Sequence, residues 1–145
     1  MQIMAKKEIY TEIKIYATPE KIWNILTDFS NYHSWNPFID QISGEILEEK
    51  KIQVKINPVG GNPMQFKPTL QHIEINHKLS WLGIFLFKGL FDGLHQFEII
   101  DNNDSSIQFI QKENFSGLLV SLFNLDKTRL GFEAMNQALK QKAEL

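Results

Sequence analysis

The sequence contains no cysteine among its 145 residues. Disulfide bonds, thiolate metal sites and cysteine nucleophiles are therefore excluded together. The longest apolar run, residues 81–87, is far shorter than the ~20 residues that a membrane-spanning helix requires. The opening residues, MQIMAKKEIY, carry charges and lack the apolar region of a secretory signal. We therefore predict a cytoplasmic protein without a transmembrane segment.

A strong excess of one charge is also absent, because the formal net charge is −2 and the basic residues are scattered. We therefore predict no nucleic-acid partner. The four histidines show no close pair at metal-ligand spacing, so no metal site is predicted. No glycine lies two residues before Ser116, and no glycine-rich loop precedes a helix, so hydrolase and nucleotide-binding sites have little support.

Alternation of apolar and polar residues predicts a first strand over residues 7–17. Thr18, Pro19 and Glu20 are then typical of a helix start, since they suit the N-cap, the first helical position and the first turn. Apolar residues at helical spacing follow, and residues 32–38 add an aromatic cluster. We predict two short helices in this segment.

Further alternation predicts about six more strands. One hairpin joins residues 42–46 to 52–56 through a charged turn, and a second joins residues 64–76 to 78–87. Pro68 lies inside the third of these strands and indicates an edge or a bulge. A last hairpin joins residues 94–101 to 105–115 around Asn102-Asn103-Asp104, a turn by composition.

The C-terminal helix is predicted from an apolar stripe formed by Thr128, Phe132, Met135 and Leu139 and widened by Leu130, Ala134 and Ala138. Gly131 interrupts this helix, and we predict that it allows close packing against the sheet. Helices at the start and end of a run of antiparallel strands are typical of an α+β fold. We expect a single domain over residues 1–145.

In the last hairpin we pair Ile99 with Ile107, because this register matches apolar residues across the strands. Phe97 then faces Phe109, and His95 faces Gln111. Glu113 lies diagonally from His95 on the same face. The opposite face carries the polar residues Gln96, Glu98, Gln108 and Lys112. The face with His95 is therefore predicted to be buried.

Residues 18–38, TPEKIWNILTDFSNYHSWNPF, resemble the opening signature of the polyketide cyclase/dehydrase and lipid-transport family of the START-like, Bet v 1-like superfamily. The resemblance continues in LSWLG (79–83), GLHQFE (93–98), QKENFSG (111–117) and GFEAMN (131–136). It implies a helix-grip fold, in which a curved seven-stranded antiparallel sheet wraps around the long C-terminal helix. It also implies an internal cavity between sheet and helix, and no cofactor.

The candidate cavity lining combines a polar trio with aromatic residues. His95, Gln111 and Glu113 could orient the polar end of an apolar ligand, or satisfy one another as a buried polar cluster. His95 and Glu113 could also act as an acid–base pair. The other predicted lining residues are apolar: Trp35, Phe38, Trp81, Phe85, Phe97, Phe109, Phe132 and Met135.

Three functions are compatible with these features. The first is a binding or carrier module for a hydrophobic small molecule such as a lipid, an isoprenoid or a polyketide-like compound. The second is a cofactor-independent cyclase or dehydratase that uses His95 and Glu113. The third is a protein-interaction role like that of chaperone activators, which an exposed apolar patch at Leu82, Ile84 and Leu86 would favour.

Overall fold

The computed structural model describes residues 5–145, which form eight strands and two α-helices. The strands are β1 (Ala5–Ile15), β2 (Ile39–Ser43), β3 (Gln53–Ile56), β4 (Met64–Phe66), β5 (Thr69–Glu74), β6 (Lys78–Ile84), β7 (Asp92–Asp101) and β8 (Ile107–Gly117). The helices are α1 (Pro19–Thr27) and α2 (Asp126–Ala143), and short 3-10 helices cover Phe29–Ser34 and Val120–Leu122. No helix in this part of the chain is long and apolar enough to cross a membrane. Residues 1–4, part of the segment from which we predict no secretory signal, lie outside the described residues.

The strands form two antiparallel sheets instead of the predicted sheet of seven strands. The main sheet has the order β1-β8-β7-β6-β5, and the smaller one has the order β2-β3-β4. The predicted strand over residues 64–76 is divided at Lys67-Pro68, because proline has no backbone N–H to continue a ladder. The carbonyl of Pro68 instead accepts a hydrogen bond from the Ile52 amide at 2.9 Å. The α+β class is confirmed, and the single seven-stranded sheet is corrected to sheets of five and three strands.

The N-terminal helices follow the local signals. The Thr18 hydroxyl accepts a hydrogen bond from the Lys21 amide at 3.1 Å, and Pro19 begins α1. The second predicted helix is the 3-10 helix Phe29–Ser34. Its Tyr32 hydroxyl is buried and donates to the Leu26 carbonyl at 2.6 Å, which fixes the 3-10 helix against the end of α1.

The last hairpin differs from its predicted register by two residues. Ile99 faces Phe109, and His95 directly faces Glu113. The connection is longer than the predicted turn, because the Asn102 amide donates to the Ser106 carbonyl and Asn103 adopts a left-handed φ of 59°. A shift of two residues keeps each side chain on its predicted face. Gln111 therefore still lies on the face with His95, now at the diagonal position.

Helix α2 packs against β1, β8 and α1. The central residues of the predicted stripe, Phe132, Met135 and Leu139, are fully buried, whereas Leu130 is exposed and does not widen the stripe. Gly131 faces Phe38 and not the sheet, since an added Cβ would lie 2.3 Å from the Phe38 ring. The absence of a side chain at Gly131 thus allows Phe38 to rest on the helix backbone.

Candidate functional site

The predicted polar trio is brought together on the inner face of β7 and β8. His95 Nδ1 lies 3.1 Å from Glu113 Oε1, and His95 Nε2 lies 3.1 Å from Gln111 Oε1. His95 and Gln111 are buried, whereas the Glu113 side chain is 18% exposed. The trio therefore has one end near solvent and the other in the interior.

Two residues that the sequence analysis missed extend this polar chain into α2 and β1. The Gln111 amide nitrogen donates to Asn136 Oδ1 at 2.8 Å and to the Phe132 carbonyl at 3.3 Å. Asn136 Nδ2 donates to the Thr11 hydroxyl at 2.9 Å, and that hydroxyl donates to the Gln111 carbonyl at 2.7 Å. Asn136 follows Phe132 by one helical turn and Thr11 lies on the buried face of β1, so both positions could have been identified from periodicity.

The direction of these hydrogen bonds limits where protons lie. Because the Gln111 nitrogen points to Asn136, its oxygen faces His95, and His95 Nε2 must donate. A single proton then lies between His95 Nδ1 and the Glu113 carboxyl group. The pair is either an imidazolium with a carboxylate or a neutral ring with a carboxylic acid. In either form it can exchange a proton with a third group.

Aromatic rings surround His95. The Trp81 ring stacks on it at 4.9 Å between centroids, and the rings of Phe97 and Phe132 meet it edge-on at 4.8 and 4.9 Å. Phe109 stacks on Phe97 at 5.8 Å. Ring contacts of this kind add about 0.5–1.5 kcal/mol each beyond area burial. They place the polar chain in an environment that is otherwise apolar.

The interior around the trio is filled in this form of the protein. Phe109, Gln111, Phe132 and Met135 are completely buried. These four residues therefore pack against their neighbours instead of bordering an open cavity. Any ligand between the sheet and α2 would have to displace side chains.

The remaining predicted lining residues lie in three different places. Phe38 is buried and meets the Phe132 ring edge-on at 5.6 Å, so it joins the cluster. Trp35 is half-buried beside Tyr32, at 5.3 Å between ring centroids. Phe85 lies beyond the end of β6 and is 57% exposed, so it does not contact the trio.

The segment from Trp35 to Phe38 contains unpaired polar atoms. The Trp35 indole nitrogen and the Asn36 amide nitrogen are both buried and have no hydrogen-bond partner among the described residues. Asn36 Oδ1, by contrast, accepts from the amides of Phe38 and Ile39, each at 2.9 Å. A buried donor without a partner costs about 1–3 kcal/mol. This segment thus leaves buried hydrogen-bond donors without partners, unlike the polar chain in the core that it covers.

An open groove of about 590 Å³ lies between the first 3-10 helix and the smaller sheet. Its walls are largely polar and include Ser30, His33, Gln41, Gln53 and Lys55. None of the trio borders it, so this groove is separate from the aromatic cluster. Among residues 5–145, no three histidine or acidic side chains are arranged to hold a metal ion.

Solved structures with the same architecture are numerous. A hypothetical protein from Helicobacter pylori superposes with a TM-score of 0.77, at 13% identity over 94% of this chain and 88% of that one. A START superfamily protein from Mycobacterium smegmatis gives 0.70, at 17% identity over 94% and 97%. A point mutant of norcoclaurine synthase from Thalictrum flavum gives 0.72, at 12% identity over 99% and 97%. Identities this low show a shared fold alone.

A comparison with curated proteins finds no match. The family model described as polyketide cyclase / dehydrase and lipid transport matches residues 6–144. Since this match spans nearly the whole sequence, the chain belongs to the polyketide cyclase/dehydrase and lipid-transport family.

Proposed function

We propose that this protein binds a hydrophobic small molecule between the β7–β8 face and α2. The observation that carries the proposal is the buried polar chain from Glu113 to Thr11, set among aromatic rings. A few convergent polar groups in apolar surroundings are typical of small-molecule sites. The family description, which includes lipid transport, supports an apolar ligand.

The ligand would gain its binding free energy from the aromatic walls and its orientation from the trio. Each buried methylene group of the ligand contributes about 0.8 kcal/mol. A ligand hydroxyl or protonated carboxyl group would donate a hydrogen bond to Glu113, because this end of the polar chain is the one closest to solvent. A lipid, an isoprenoid or a polyketide-like compound fits these two requirements.

Entry requires movement, and Phe38 is the side chain that we propose moves. Its ring lies over Gly131 and meets the Phe132 ring edge-on, so its withdrawal opens a slot directly against the helix backbone. The two unpaired donors of Trp35 and Asn36 would gain partners in the same movement. This gain offsets part of the packing that is lost. The Trp35–Phe38 segment would therefore act as a lid.

The experiment measures uptake of a fatty acid by native mass spectrometry and by displacement of a fluorescent apolar probe. Glu113→Gln and His95→Ala should each weaken binding at least ~10-fold, equivalent to about 1.4 kcal/mol. The matched controls are His72→Ala and Glu74→Gln, since these residues form an exposed pair at 3.3 Å on β5. Both controls should bind like the original protein.

Two outcomes would contradict the proposal. If neither the original protein nor Phe38→Ala takes up any apolar probe, the interior is a hydrophobic core that binds no ligand. If binding occurs but neither Glu113→Gln nor His95→Ala changes it, the trio lies outside the ligand site.

A cyclase or dehydratase activity is the second candidate, and the shared proton of His95 and Glu113 favours it. Such a reaction requires a general acid and a general base within reach of a bound carbonyl group. The distinguishing result is turnover of a poly-β-ketone substrate that Glu113→Gln abolishes while the substrate still binds. Binding without turnover would indicate a carrier protein instead of an enzyme.

A further inference from the structure

Two loops at one end of the main sheet expose large apolar side chains close together. The first, residues 85–91, leads from the end of β6 into β7, and the second, residues 118–125, connects β8 to α2. Six of their apolar residues are 45–79% exposed: Phe85, Leu86, Phe87, Leu118, Leu122 and Phe123. We call these six residues the apolar tip. Exposed apolar clusters of this kind mark interaction surfaces.

The two loops of the tip are joined by backbone hydrogen bonds. The amides of Leu118 and Leu119 donate to the carbonyls of Gly89 and Leu90, each at 3.0 Å. Below them the Phe91 ring packs on the Phe123 ring at 4.8 Å between centroids. The scaffold thus holds the exposed residues in a fixed arrangement.

Leu86 combines an unusual backbone conformation with a highly exposed side chain. This residue has a φ of 64°, in the left-handed region, and it is 79% exposed. Left-handed backbone is unfavourable for a bulky non-glycine residue. The first loop therefore carries backbone strain while its leucine points away from the core.

Basic residues outnumber exposed acidic residues around the tip. Lys88 is the one charged residue within the two loops. Lys6 and Lys7 lie beside the second loop, because they pair with Ser116 and Phe115, and Lys7 Nζ donates to the Phe123 carbonyl at 2.7 Å. The neighbouring Asp92 is buried and accepts from the Gly89 amide, so it faces the loop instead of solvent. Glu8 and Asp126 border the same groove as Leu122 and Phe123, and they are outnumbered around the tip by the basic residues Lys6, Lys7, Lys88 and Arg129.

This combination identifies the partner by its chemistry. A second copy of the chain would bring two positive tips together, which is unfavourable. An anionic bilayer offers an apolar interior to the leucine and phenylalanine side chains and negative headgroups to the lysines. We propose that the apolar tip inserts into the surface of an anionic lipid bilayer. This inference goes beyond ligand binding, because the tip contains none of the trio. Phe85, the one tip residue that we predicted to line the cavity, lies away from the trio.

The experiment is co-sedimentation of the purified protein with phosphatidylcholine vesicles, with or without added phosphatidylserine. The original protein should bind the phosphatidylserine vesicles more tightly, and salt should weaken the binding. Leu86→Ser combined with Phe87→Ser should weaken it at least ~10-fold, because both side chains lose their burial in the bilayer. Lys88→Gln should weaken it about fivefold.

The matched control is Ile75→Ser, since Ile75 is 68% exposed in the turn before β6, at the opposite end of that strand. This variant should bind vesicles like the original protein. Fatty-acid uptake in solution should be unchanged in the Leu86/Phe87 double variant, which separates this surface from the proposed ligand site.

Three outcomes would overturn the proposal. The first is failure of the original protein to bind either kind of vesicle. The second is an equal loss of binding in the Ile75 control. The third is a dimer in solution that the Leu86/Phe87 double variant converts to a monomer while vesicle binding persists, which would assign the tip to a protein contact.

Discussion

The close approach of Phe38 to Gly131 predicts that the effect of Gly131→Ala on the free energy of unfolding depends on whether the Phe38 ring is present. In Gly131→Ala the new Cβ would lie 2.3 Å from Cδ1 and 2.5 Å from Cε1 of Phe38. Alanine in place of glycine stabilises a helix interior by about 1 kcal/mol. Overpacking a buried ring costs about 1–3 kcal/mol. The substitution should therefore leave the free energy of unfolding unchanged or lower it by up to about 2 kcal/mol.

Removal of the ring reverses this result. In a Phe38→Ala background the helix gain remains and the clash is absent, so Gly131→Ala should stabilise the protein by about 1 kcal/mol. Urea unfolding of the four proteins gives the coupling energy between the two positions, which we expect to be about 1–3 kcal/mol. The same cycle with Phe91→Ala is the control, because the Phe91 ring packs on Phe115 and Phe123 instead.

A coupling below about 0.5 kcal/mol between Gly131 and Phe38 would refute this reasoning, since independent sites add within that limit. Such a result would mean that the Phe38 ring does not occupy the space above Gly131 in solution. It would also remove the basis for Phe38 as a lid. If the lid exists, Gly131→Ala should in addition raise the uptake of a fatty acid, because it favours the withdrawn ring.

Two further predictions concern buried polar groups. Asn136→Ala should lower the free energy of unfolding by about 2–4 kcal/mol, because Gln111 and Thr11 lose their partner and a cavity remains. The control is the exposed neighbour Gln137, whose replacement by alanine should change the free energy of unfolding by less than about 0.5 kcal/mol. Burial, reinforced by Asp28, raises the pKa of Tyr32 well above the usual 10.0, so stability should be full below pH 10 and fall above it as the unfolded chain ionises. Tyr32→Phe should reduce this alkaline loss and cost about 1 kcal/mol at neutral pH; an unchanged alkaline slope in chemical unfolding would contradict the assignment.

Local signals located most of the secondary structure, whereas pairing between strands depended on more distant contacts. Thr18 and Pro19 start α1 because capping depends on neighbouring residues alone. The register of the last hairpin was wrong, because apolar matching does not reveal how many residues a turn will use. The division at Pro68 followed from the missing amide, which the sequence indicated as an edge or a bulge but not as a change of sheet.

The grouping of the polar trio was predictable from the sequence, and the positions of the aromatic residues were less so. Alternation placed His95, Gln111 and Glu113 on one face, and the structure joins them by hydrogen bonds. Phe85 was misplaced because residues 78–87 are apolar on both faces, so their alternation does not choose a side, and β6 ends at Ile84. The filled interior could not be foreseen, since it depends on how the rings of separate elements interlock.

The pairing of β1 with β8 affects how the protein is made in the cell. Residues 5–15 bond to residues 107–117, so β1 can meet its neighbour only after about 100 further residues have been synthesised. Translation at about 5–20 residues per second leaves Ile9 and Ile15 uncovered for several seconds. Helix α2, which packs on β1, emerges later still. The main sheet therefore cannot be completed before β8 has been synthesised.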